Sequence, residues 1–122
     1  MPQVMIHPAT YPTVRESIHR AFERFPVDIT GRRVLIKPNV LRASEASEGI
    51  VTHPSVLQAV VEKVADMQPA SLIVGDNPGL FNYGDNERSF HKTGLMEAAG
   101  AYYRISAMIR KRFHLTPITC RW

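Results

Sequence analysis

The chain is poor in cysteine, in aromatic residues and in long apolar runs. Of its 122 residues only Cys120 carries a thiol. That excludes an intrachain disulfide framework and any Cys-rich zinc or iron–sulfur site assembled from this chain alone. No apolar run reaches the roughly 18 residues that a membrane helix needs. The opening Met1-Pro2-Gln3-Val4-Met5-Ile6-His7 lacks the basic flank and longer apolar stretch of a secretory signal. A cytoplasmic protein without membrane contact is the expectation. The length allows one small domain, burying roughly two-thirds of the surface of its unfolded chain.

Acidic residues are missing from one region only. All 11 lie before residue 101, whereas the stretch 101–122 holds Arg104, Arg110, Lys111, Arg112 and Arg121 and no acid. The net charge of +4 therefore belongs to the tail and not to the body. A nucleic-acid surface sets its basic stripe on folded elements, with aromatics or a groove-entering helix beside it. The tail has short clusters and no such motif, so nucleic acid is not expected as a partner. The chain divides into 1–100, a partial α/β domain, and 101–122, a basic tail. The tail is either a natural extension or foreign to the parent fold, and the sudden loss of acids favours the second.

Periodicity supplies the elements. Val4-Met5-Ile6 has the composition of a first strand. Between Thr13 and Phe25 the apolar Val14, Ile18, Ala21, Phe22 and Phe25 fall on one helical face, with Arg15, Glu16, Arg20, Glu23 and Arg24 on the other. Pro26 closes that helix. Arg33-Val34-Leu35-Ile36-Lys37 reads as a second strand ended by Pro38, and residues 39–51 as a long loop of the kind that often binds ligands. Thr52-His53-Pro54-Ser55 reads as a helix start, with the Thr52 hydroxyl as cap and an early proline. Val56, Leu57, Val60, Val61 and Val64 then form one face. Ser71-Leu72-Ile73-Val74 is a third strand, broken off by the turn formers Gly75-Asp76-Asn77-Pro78-Gly79. Phe90, Leu95, Met96 and Ala99 suggest short helices interrupted near Gly94. Alternation of this kind predicts an α/β fold: a small, mostly parallel three-stranded sheet with crossover helices. Two good helices barely cover both faces of such a sheet. The body reads as an incomplete part of a larger α/β domain.

The chemistry-bearing residues gather at strand ends. In an open parallel sheet the carboxyl ends of strands and the amino ends of crossover helices share one edge, where ligands bind. Lys37 would bring a cation to that edge, Asn39 and Asn77 paired donors and acceptors, Asp76 a carboxylate, and Gly79 a close backbone approach. Thr52 and His53 stand at the helix start beside them. A small anionic ligand, carboxylate or phosphate, suits this set. Each residue also has a purely structural reading: a strand-end lysine, a turn aspartate, a helix cap. No second histidine or carboxylate stands at metal spacing beside His53, so no metal site is expected. Gly75, Gly79 and Gly84 match neither the dinucleotide fingerprint nor a P-loop.

Three segments together, Val34-Leu35-Ile36-Lys37-Pro38-Asn39, Val51-Thr52-His53-Pro54-Ser55-Val56-Leu57 and Ile73-Val74-Gly75-Asp76-Asn77-Pro78-Gly79, resemble the family called domain of unknown function 362. Thr93-Gly94-Leu95 also matches, and the resemblance covers roughly residues 4–100. It implies an α/β main domain distantly similar to nickel-dependent lactate racemases, with no established reaction. Relatives often carry a 4Fe-4S cluster on a close series of four cysteines, a series this chain lacks. The resemblance thus implies the N-terminal part of such a protein, contributing part of a small-anion or cofactor cleft and holding no cofactor itself. The alternative is a non-enzymatic subunit or remnant that packs against a protein partner, or a second copy, through its uncovered sheet.

Overall fold

A computed structural model of the chain describes residues 1–76 and 86–104. Helix α1 spans Val14–Arg24, strand β1 Arg33–Ile36, helix α2 Pro54–Asp66 and strand β2 Ser71–Val74. Helices α3 (Asn86–Lys92) and α4 (Leu95–Ala99) follow. Single 3₁₀ turns lie at Ala46–Glu48 and Gly100–Tyr102. The two strands are parallel and in register from Arg33 opposite Ser71 to Ile36 opposite Val74, with α2 in the crossover between them.

One core explains the arrangement. Strand side chains alternate between faces, so Val34 and Ile36 of β1 and Leu72 and Val74 of β2 point the same way. They meet Leu57, Val61 and Val64 from α2, together with Phe90, Leu95 and Ala99. Val40, from the loop after β1, joins the same cluster. The α2 residues are those the helical spacing placed on one face. Helix α1 forms where its periodicity predicts and packs against α2, but none of its residues is fully buried. Arg15 of α1 pairs with Glu62 of α2. On the solvent side Glu16 accepts from Arg20 one turn later at 2.7 Å. The Arg20 guanidinium holds the Glu16 carboxyl below its ordinary range, first by that hydrogen bond and then by charge.

The first strand is a correction. Val4-Met5-Ile6 forms no strand, and Val4 and Ile6 stay 84% and 93% exposed. A strand needs a neighbouring edge, and this segment instead runs beside α1, where His7 Nδ1 lies 2.8 Å from the Ser17 hydroxyl. The described sheet therefore has two strands and not three. On the far side of β2, Tyr103 makes an isolated parallel bridge to Val74, and the Arg104 N–H donates to the Val74 carbonyl at 2.9 Å. Most of the basic tail lies outside the described residues.

The interruption near Gly94 is present. Gly94 adopts φ +74 between α3 and α4, a left-handed conformation that glycine enters without the steric cost of a Cβ. A Cβ built there would lie 3.2 Å from the Pro54 side chain at the start of α2. Gly94→Ala is expected to lower stability by roughly 1–2 kcal/mol, from backbone strain and from crowding of Pro54. Urea denaturation measures this, and an unchanged midpoint would refute the account.

Candidate functional site

The in-register parallel pair brings the residues after β1 and after β2 out at the same end of the sheet. Lys37 follows Ile36 directly, and Asp76 stands two residues beyond Val74. Lys37 Nζ lies 2.9 Å from Asp76 Oδ1. The pair is asymmetric: the Asp76 side chain is 6% exposed, the Lys37 side chain 63%. Asp76 Oδ2 accepts the Val40 N–H at 3.1 Å. One buried carboxylate thus fixes both a lysine at the mouth of the edge and the backbone of the loop behind it. The ammonium has three donors, and this ion pair engages one of them.

Asn39 and Thr52 form the base of the long loop. The Asn39 N–H donates to Thr52 Oγ1 at 2.8 Å, the Thr52 N–H donates to the Asn39 carbonyl at 2.9 Å, and Asn39 Nδ2 donates to the Ile50 carbonyl at 3.1 Å. The hydroxyl of Thr52 was expected to cap α2. It ties the loop instead, because His53 takes the cap position: its Nδ1 accepts the Ser55 N–H at 3.3 Å and sits 2.8 Å from the Ser55 hydroxyl. The His53 ring stacks on Tyr11, with centroids 3.5 Å apart and planes 8° from parallel. The Val56 and Leu57 N–H groups both donate to the His53 carbonyl. Pro54 has no N–H, so the first-turn donors of α2 are already engaged.

Of the residues expected at the edge, Lys37 and Asp76 meet directly and Asn39 and Thr52 join beside them. His53 belongs to the helix cap and the Tyr11 stack. Asn77 and Gly79 lie outside the described residues. Three hydroxyls were not anticipated from sequence. Ser44 in the loop and Ser89 in α3 are buried, and neither hydroxyl has a hydrogen-bond partner among the described residues. The Tyr103 hydroxyl also lacks one among the described residues. Its ring lies 4.8 Å from Phe90, and burial, followed by the nearby Glu87 charge, raises its ionisation above the ordinary tyrosine range. Serines in a loop or helix carry no periodic signal that separates a sealed hydroxyl from a solvated one.

Among the described residues no three His, Cys, Asp or Glu side chains gather as a metal-binding group, and no helix is long and apolar enough to cross a membrane. A 4Fe-4S cluster needs four thiolates, and Cys120 alone does not fit one.

A crossover helix between two parallel strands, with a lysine–aspartate pair at their carboxyl edge, defines a chain of the α/β class. The family profile described as domain of unknown function (DUF362) matches residues 34–118, and the chain belongs to that family. The match begins at β1 and continues beyond Gly100, the point near which the motif resemblance ends. No curated protein and no solved structure matches the chain significantly.

Proposed function

We propose that this chain contributes part of a binding cleft for a small oxyanion, a carboxylate or a phosphate, at the carboxyl edge of β1 and β2. The observation that carries the reading is the asymmetry of the Lys37–Asp76 pair. A buried carboxylate positions the ammonium, while most of the lysine side chain faces solvent. A cation held in place at a strand edge binds an anion without first losing the freedom of a mobile lysine side chain. Asn39 and Thr52 hold the loop that borders Lys37, and His53 holds the start of α2. Asn77 and Gly79 follow Asp76 in sequence and complete the residue set of this reading.

The test is a calorimetric titration of the full chain with inorganic phosphate and, separately, with acetate. Lys37→Ala is expected to weaken binding of whichever anion the parent takes by about tenfold, equivalent to about 1.4 kcal/mol, with the circular dichroism spectrum retained. Affinity equal to that of the parent removes Lys37 from the site.

A further inference from the structure

Residues 1–6 hold the three most exposed large apolar side chains among the described residues, Met1, Ile6 and Val4 at 115%, 93% and 84%. They carry no charged side chain. Two contacts fix the chain just after them. His7 Nδ1 lies 2.8 Å from the Ser17 hydroxyl on α1, and Tyr11 stacks on His53 at the start of α2. Residues 7 and 11 are thus held beside the helices of their own protomer. Residues 1–6, about 20 Å of chain when extended, are left to reach outward. The open edge of β1 is the second unfilled feature. Successive strand residues turn their N–H and C=O groups to opposite edges. The Arg32 carbonyl accepts the Ala70 N–H at 2.9 Å and the Ile36 carbonyl accepts the Gly75 N–H at 3.1 Å, both on the β2 side. Leu35 therefore faces the other edge, where no strand lies among the described residues. Exposed edges of this kind recruit extended segments.

We propose that residues 1–6 of a second copy pair with the open edge of β1, the two copies exchanging these segments reciprocally. Charge selects this occupant. Arg33 and Lys37 stand at the two ends of the edge. Pairing two β1 strands antiparallel about Leu35 would set Arg33 of each copy opposite Lys37 of the other, and like charges directly opposite oppose pairing. An uncharged segment meets no such repulsion. Its alternation also fits the edge: Val4 and Ile6 would continue the row of Val34 and Ile36, and Met5 would lie on the face of Leu35. Within one protomer the segment forms no strand with β1, and the anchors at His7 and Tyr11 keep it beside α1. Reciprocal exchange closes a two-fold dimer and leaves no segment over for further growth.

Sedimentation equilibrium of the full chain over a concentration series, with hydrogen exchange read at the Leu35 amide, tests the pairing. The parent is expected to dimerise, and its Leu35 amide to exchange more slowly as concentration rises. Val4→Asp and Ile6→Asp are each expected to raise the dimer dissociation constant by about tenfold, equivalent to about 1.4 kcal/mol. Each should also shift the slowing of Leu35 exchange to correspondingly higher concentration. Both side chains face solvent in the single protomer, so the urea midpoint of either variant, measured dilute, should equal that of the parent. A parent that stays monomeric at every concentration overturns the proposal. So does a dimer that both aspartate variants leave intact, which places the interface elsewhere. Leu35 protection that does not depend on concentration overturns it as well, and assigns the edge to the segment of the same protomer.

Discussion

Truncating Phe90 to alanine is expected to cost about 3–5 kcal/mol of folding stability, the largest effect of any single change considered for this chain. The ring is fully buried in the cluster formed by both strands, α2 and α4. It also packs against Tyr103 with centroids 4.8 Å apart and planes tilted by 46°, a geometry in which aromatic pairs attract beyond simple burial. Small domains hold a margin of about 5–15 kcal/mol, so this substitution removes much of it. Urea denaturation should show the midpoint falling with an unchanged slope. A loss below about 1 kcal/mol would mean that Phe90 is not the centre of the core.

Asp76→Ala is expected to be the second most damaging change, at about 2–3 kcal/mol. Its carboxylate is nearly sealed, bonded to Lys37 through one oxygen and to the Val40 N–H through the other. Alanine leaves that N–H in the core without its acceptor, at about 1–3 kcal/mol for such a buried group, and releases the loop from the sheet edge. Asp76→Asn separates the two functions. Its amide oxygen still accepts from Val40 while the charge opposite Lys37 is gone, and because Lys37 is largely solvated the cost should be about 1 kcal/mol or less. Equal losses for alanine and asparagine would show that the ion pair, and not the Val40 bond, holds the loop. Thermal or urea unfolding of both variants decides between them.

The helices and the parallel pair were legible in the sequence because each has a period. Val14, Ile18, Ala21 and Phe22 mark α1, and Leu57, Val61 and Val64 mark α2. Runs ended by Pro38 and by Gly75-Asp76 mark the strands. From two parallel strands it follows that Lys37 and Asp76 leave the sheet at one end, and their 2.9 Å contact is that register expressed in side chains. The misreadings fall where no period operates. Val4-Met5-Ile6 has strand composition, but composition does not supply an edge to pair with. Thr52 and His53 are adjacent candidates for one cap, and the choice depends on a partner thirteen residues away, Asn39, which takes the threonine hydroxyl. Ser44 and Ser89 were invisible because burial of a loop or helix serine is decided by tertiary packing alone.

The in-register meeting of β1 and β2 also bears on the order in which the chain assembles. Arg33 reaches Ser71 only after the long loop and the whole of α2 have been closed between them, and the entropy of that closure is lost before the pairing returns any energy. Helix α2, which needs only neighbours a turn apart, can take shape first and present Leu57, Val61 and Val64 as a template on which the second strand settles. The sheet is then a late product of the crossover, and the Lys37–Asp76 contact fastens a knot already tied by the helix.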